Sequence, residues 1–224
     1  MKRIVFLILI GVMMIAESSA QRGKRNRLEN KTDSVSYAIG VSFANSMKNL
    51  NIPELNLEKI YMAIGEVINN EEAKLTVSES QKIIQAYMTE LKEYQIKENL
   101  IRANEFLEKN KKREGVIVLP NGLQYEVLLE GSGESPVSTS KVKTHYKGTL
   151  LDGSVFDSSY DRGEPIDFQL GRVIKGWQEA LKLMKPGAKW KLYIHPDLGY
   201  GERDTEDIPA NSLLIFDIEL LSVE

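Results

Sequence analysis

The sequence predicts an α+β protein: an all-helical N-terminal region, a long connecting helix, then a mostly antiparallel sheet around one short helix. Three observations carry this. Apolar residues recur at helical spacing through the first half of the chain. No glycine or proline interrupts residues 81–114. From Gly115 onward apolar residues alternate, and turns bearing glycine or proline divide them into short segments.

The first segment is a targeting signal by its pattern. Met1-Lys2-Arg3 is basic, Ile4 to Ala16 is apolar, and Ser18-Ser19-Ala20 supplies small residues. The apolar run has signal-peptide length and is short for a membrane span. Cleavage is expected before Gln21, leaving an exported protein without a membrane span; an uncleaved anchor is the alternative. The chain has no cysteine, so neither a lipid anchor on cysteine nor a disulfide is available.

After a polar lead-in, Thr32-Asp33-Ser34 offers caps to a helix with Val35, Tyr37, Ala38, Val41, Phe43, Ala44 and Met47. Asn51-Ile52-Pro53 ends it, and Asn56 caps a second helix with Leu57, Ile60, Tyr61, Ile64, Val67 and Ile68. Ser78 to Gln81 reads as a capping box for the long helix. Uninterrupted to Glu114, that helix would reach about 50 Å. Its first part carries a stripe of Ile83, Ile84, Tyr87, Met88, Leu91 and Tyr94, whereas its second part reads as a mostly solvated spacer. Two short helices and half a long one make a poor independent core. A symmetric homodimer through these helices is the economical solution. Packing onto the C-terminal part of the same chain is the alternative. The expected divisions are 1–20 signal, 21–77 helical dimerisation domain, 78–114 connecting helix and 115–224 C-terminal domain.

In that last domain, Val116 to Leu119 and Leu123 to Leu129 read as strands about the turn Pro120-Asn121-Gly122. Lys141 to Leu150 follows, then the turn Leu151 to Ser154. Gly176 to Met184 is the one short helix, closed by Lys185-Pro186-Gly187. Trp190, Leu192 and Ile194 mark another strand, and Leu213 to Leu221 the last.

The chemistry is narrow. A net charge of −3 and no dense basic patch argue against nucleic acid as a partner. His145 and His195 lack metal-ligand spacing and read as structural residues. Phosphate-loop, dinucleotide and nucleophile-elbow motifs are missing. No metal or cofactor is expected. What remains is a scattered aromatic and aliphatic set, with Trp177 opening the short helix directly after Gly176, where a large ring would floor a pocket.

Five stretches, Thr144 to Gly148, Asp152 to Ser159, Val173 to Trp177, Pro196 to Gly201 and Leu214 to Leu221, resemble the FKBP-type peptidyl-prolyl isomerases in order and spacing. The resemblance covers about Gly115 to Glu224. Ser36 to Gly40 and Leu119 to Tyr125 extend it to the exported Mip-like subgroup, which has a helical dimerisation domain and a long connecting helix. It implies a half-open antiparallel sheet wrapped around the short helix, and X–Pro bond rotation in the apolar cleft between them. Proline-containing unfolded polypeptides would be the substrates, macrolides the inhibitors, and the periplasm the compartment. A non-enzymatic holdase or adaptor with an FKBP-like binding domain is the alternative.

By motif position the resemblance makes Trp177 the floor. Tyr146, Phe156, Phe168, Val173, Ile174, Ile208 and Phe216 become substrate-binding walls. Asp157 and Tyr200 join Phe156 and Trp177 as catalytic residues, with Arg162 bracing Asp157. Ser158, Ser159 and Glu164 read as turn residues. Two departures stand out. Ile166 occupies a position usually aromatic in the family. The loop Glu202 to Asp207 is acidic and short, which fits either a preference for basic substrates or mere solubility of the loop.

Overall fold

The structure is a computed structural model, described for residues 27–48, 50 and 52–224. The expected signal segment lies outside the described residues. Two compact units divide the chain at Lys74 and Leu75.

The first unit holds helices α1 (Lys31–Lys48) and α2 (Leu57–Ile68). The cap of α1 lies upstream of the expected one: Asp33 N–H donates to Asn30 Oδ1 at 2.8 Å. For α2 the expected Asn56 is the cap, accepting from Lys59 N–H at 3.1 Å. Neither helix has a buried residue in the single chain.

The second unit begins with α3 (Val77–Asn110). Its capping box is Thr76 with Glu79, two residues before the expected one, and Ser78 lies inside the helix. The register follows from chemistry: Thr76 presents its hydroxyl to Glu79 N–H at 3.2 Å, and the Glu79 carboxylate returns a bond to Thr76 N–H at 2.8 Å. These bonds hold the Glu79 carboxyl below its ordinary pKa.

The second half of α3 is exposed over most of its surface, as expected of a spacer, but docks along one stripe. Ala103, Leu107 and Asn110 are buried, and Ala103 and Leu107 pack with Tyr193 and Leu213 of the sheet domain. Gln124 donates to Leu107 O at 3.0 Å and accepts from Asn110 Nδ2 at 3.0 Å. Burial of these amides is therefore paired rather than penalised. The buried positions fall three and four residues apart, so they form a narrow stripe that the surrounding charges obscure in sequence.

The sheet has seven strands, all paired antiparallel, in the order β1-β2-β6-β7-β3-β4, with β5 also on β3. They are β1 (Val116–Val118), β2 (Gln124–Leu129), β3 (Lys141–Thr149), β4 (Val155–Ser158), β5 (Ile166–Gln169), β6 (Lys189–Ile194) and β7 (Leu214–Val223). One turn of helix, α4 (Ser159–Arg162), follows β4, and α5 (Lys175–Leu181) precedes β6.

One edge of β3 runs along β7; the other is divided. Lys141 to Thr144 pairs with β5, and Lys147 to Thr149 pairs with β4. Helix α5 turns Gly176, Trp177, Ala180 and Leu181 inward. Trp177, Ala180 and Leu181 join Val142, Tyr146, Trp190, Leu192, Ile194, Phe216 and Ile218 in one core. Gly176 permits this approach, since a Cβ there would stand 2.7 Å from Ile194 Cγ2.

Candidate functional site

A cleft of about 530 Å³ opens between β3, β4, β5, the start of α5 and the segment after β6. Trp177 sits at its base, 5 % exposed, in the first turn of α5. Aromatic rings surround the indole. Tyr146 and Phe216 meet it edge-on at centroid distances of 5.0 Å each, and Phe168 is tilted against it at 5.3 Å. Phe156 meets Phe216 edge-on at 5.4 Å. Such edge-to-face contacts hold rings rigidly at an apolar surface. Ile166, Val173, Ile174 and Tyr200 complete the lining from the sequence-derived set.

Asp157 lines the cleft beside Phe156. Its carboxylate accepts from the Tyr146 hydroxyl and from Arg162 Nη1. Arg162 Nη2 also donates to the Tyr146 hydroxyl at 2.8 Å. Burial alone would raise the Asp157 carboxyl, but the bonds from Tyr146 and Arg162 and the guanidinium charge hold it below its ordinary range. Burial, joined by the bond to Asp157, pushes the Tyr146 hydroxyl up. The group therefore stands as a neutral phenol between a carboxylate and a guanidinium.

Ser159 is more than a turn residue. It is fully buried and fills the gap between the β5 and β4 pairings of β3. Its Oγ accepts from Tyr146 N–H at 2.8 Å and donates to Tyr146 O at 3.1 Å. One hydroxyl thus replaces the missing strand at the residue whose ring forms a cleft wall. A serine in a turn carries no sequence signal for this; only the divided pairing of β3 exposes it.

Two sequence-derived residues lie elsewhere. Arg162 stands behind the wall, holding Asp157 and Tyr146. Ile208 is 6 % exposed in the core and does not line the cleft. Three residues absent from that set do line it: Arg172, Gly199 and Arg203. Gln178 Nε2 donates to Val173 O at 2.7 Å, fixing the segment that leads Val173 and Ile174 into the cleft.

The loop after Tyr200 is anchored on α3. Lys92 Nζ reaches Asp204 Oδ2 at 2.8 Å, Asn99 Nδ2 donates to Ala210 O at 2.9 Å, and Asn211 Nδ2 donates to Ile96 O at 3.3 Å. The bond from Lys92 holds the Asp204 carboxyl below its ordinary pKa.

The lining residues include no cysteine, serine, lysine or histidine. Among the described residues no group of three or more histidines, aspartates and glutamates is placed to hold a metal. An apolar, aromatic-floored cleft with one braced carboxylate is suited to binding and orienting a ligand.

The comparisons agree with this class. A family model described as FKBP-type peptidyl-prolyl cis-trans isomerase matches residues 132–221. A second, the domain amino-terminal to such isomerases, matches residues 32–127. The chain is 41 % identical over 200 residues to the FKBP-type peptidyl-prolyl cis-trans isomerase FkpA of Aeromonas hydrophila, covering 84 % of this chain and 75 % of the relative. It is 36 % identical over 233 residues to the peptidyl-prolyl cis-trans isomerase Mip of Coxiella burnetii, covering 100 % and 99 %. The crystal structure of FkpA from Escherichia coli superposes with a TM-score of 0.70 at 36 % identity, over 88 % of this chain and 99 % of that one. The chain belongs to the FKBP-type peptidyl-prolyl cis-trans isomerases. It catalyses rotation about X–Pro bonds.

Proposed function

We propose that the Trp177 cleft is the proline site, and that an exported, dimeric form of this isomerase assists the folding of proteins in the periplasm. The apolar, ring-walled cleft above Trp177 carries the reading of the site. Proline stacks on the indole between Tyr146, Phe156, Val173, Ile174 and Phe216. The Tyr200 hydroxyl and the Ile174 backbone N–H hold substrate carbonyls. Asp157, Tyr146 and Arg162 keep that wall fixed.

The mechanism follows from the amide. Rotation must break resonance against a barrier of about 18–20 kcal/mol. The planar amide separates charge more than the twisted one, so an apolar cleft destabilises the ground state relative to the transition state. That is differential binding. Fixed donors in a dry cleft add orientation without reorganisation. Each tenfold acceleration needs about 1.4 kcal/mol, which a few such contacts supply.

The pattern of residues 1–20 supports export and cleavage before Gln21. Exposed Tyr37, Ile39 and Phe43 on α1, and Leu57, Tyr61 and Ile68 on α2, support a helical dimerisation domain over 21–77. The connecting helix is then Val77–Asn110, and the isomerase domain is 115–224. Two cleft-bearing domains on one dimer raise the effective concentration of sites along a long client. The same exposed faces favour a second activity, passive capture of unfolded chains that does not require catalysis.

The test is proline-limited refolding of a client with the mature protein and with Trp177→Ala and Asp157→Ala. Acceleration by the parent and its loss in both variants supports catalysis at this cleft. Retained aggregation suppression in those variants separates capture from catalysis. Undiminished acceleration by correctly folded Trp177→Ala overturns the assignment of the cleft.

A further inference from the structure

The charges at the cleft do not match those of its loop. Sequence makes the loop from Glu202 to Asp207 acidic. Yet Glu202, Asp204, Glu206 and Asp207 do not line the cleft, whereas Arg203 does. Asp204 is fully engaged on the other side: Lys92 takes Oδ2 at 2.8 Å, and Ala210 N–H donates to Oδ1 at 3.1 Å. A second arginine, Arg172, lines the cleft from the turn before Val173. Both arginines are exposed. No carboxylate among the described residues lies within ion-pair distance of either. The lining carboxylate, Asp157, is paired with Arg162. Among the described residues the cleft therefore carries two guanidinium groups outside any ion pair, beside one acid paired with Arg162.

We propose that Arg172 and Arg203 make this isomerase prefer prolines flanked by acidic residues. The inference rests on the assignment of this cleft as the proline site and adds to it a substrate class. An arginine fork matches a carboxylate in geometry as well as charge. A substrate bound against Trp177 passes its neighbouring residues over the rim, where a glutamate or aspartate meets the guanidinium groups and a lysine is repelled. Contacts between exposed charges are individually weak, so the preference is graded rather than absolute. The Lys92–Asp204 pair supports the preference indirectly: it engages the carboxylate that follows Arg203 in sequence with a different cation.

The experiment uses acetylated, amidated peptides that differ only in glutamate, glutamine or lysine immediately before or after proline. Exchange between cis and trans forms is followed by NMR, without a coupled protease that has its own specificity. Chemical-shift titration of the same peptides measures affinity independently of turnover. The full-length mature protein should favour the glutamate over the lysine peptide by about three- to fivefold in kcat/KM at low salt. The ratio should shrink as ionic strength rises through the range where the screening length falls below about 10 Å. It should approach one in Arg172→Gln/Arg203→Gln and reverse in Arg172→Glu/Arg203→Glu. Equal rates across the parent's series overturn the proposal, as does a preference that survives the double glutamine variant. Acceleration of the glutamine peptide alongside a flat series sinks the charge inference and leaves the isomerase site standing. If no peptide is accelerated, the site assignment fails, while the order of affinities still decides whether the arginines select charge.

Discussion

Gly148 and Phe156 are in contact that leaves no room for a side chain between them. A Cβ on Gly148 would stand 2.5 Å from Phe156 Cζ and 2.8 Å from Phe216 Cε1. Glycine here is a requirement of packing: the backbone of β3 lies directly against two rings of the cleft. Gly148→Ala should displace Phe156 and Phe216, cost about 1–3 kcal/mol of stability, and lower kcat/KM on a neutral peptide. Thermal unfolding with peptide isomerisation measures both; full activity and parent stability would mean the rings yield freely.

Asp157→Asn keeps the shape of the wall and removes its charge. Two charge-assisted bonds, from Tyr146 and Arg162, are weakened at once. A loss of about tenfold or more in kcat/KM is expected, on the scale of one such bond converted to rate. Circular dichroism should show an intact fold.

The same carboxylate gives a pH dependence. Its folded pKa lies below the ordinary 3.8. Its stabilising contribution is therefore complete above that value and is lost as pH falls through the lower folded value. Activity limited by this group should stay flat through neutral and mildly acidic pH and fall only below about 4. An acid limb near pH 6 would assign control to another group.

Ser159→Ala should be costly for one hydroxyl. It leaves the buried N–H of Tyr146 without its Ser159 partner, at about 1–3 kcal/mol. Because Tyr146 forms the wall, kcat/KM should fall with stability, and Ser159→Thr should restore neither fully at so enclosed a position. Hydrogen exchange at the Tyr146 amide reads the local opening directly.

Leu107→Ala tests the docking of α3. The residue is 7 % exposed against the sheet domain, and truncation should cost about 2–5 kcal/mol. A solvated spacer would give almost no change in denaturant midpoint. For the other unit, the proposed dimer is tested by Phe43→Glu: the parent should sediment as a dimer and the variant as a monomer, with peptide isomerisation unchanged.

The sheet domain was largely legible because its information is local. The turn at Asp152-Gly153, the Gly176-Trp177 helix start and the alternation in Leu214 to Leu220 each sit within a few residues. Docking of α3 was not legible, because its buried residues are sparse and charges outnumber them. Distant chemistry was equally hidden. Nothing beside Asp204 in sequence indicates that Lys92 pairs with it, so the acidic loop read equally as a preference for basic substrates or as mere solubility. Ile208, between Asp207 and Pro209, was made a wall by the resemblance and is core, since a loop residue gives no periodicity from which to infer its face. Ser159 was hidden for a different reason: its role belongs to a discontinuity between two strand pairings.

The contacts of α3 with the rest of its unit, at Lys92, Ile96, Asn99, Ala103, Leu107 and Asn110, recur every three or four residues along one side of the helix. The helix is thereby indexed in azimuth as well as in length. Inserting a single residue between Asn99 and Ala103 would rotate every upstream position by about 100° relative to those downstream. Lys92, Ile96 and Asn99 could not then meet their partners while Ala103 to Asn110 kept theirs. A seven-residue insertion would nearly restore the phase but shift the upstream contacts by about 10 Å. The arm thus admits few heritable changes of length between Lys92 and Asn110, and indels should be far rarer there than substitutions at its solvent-facing positions.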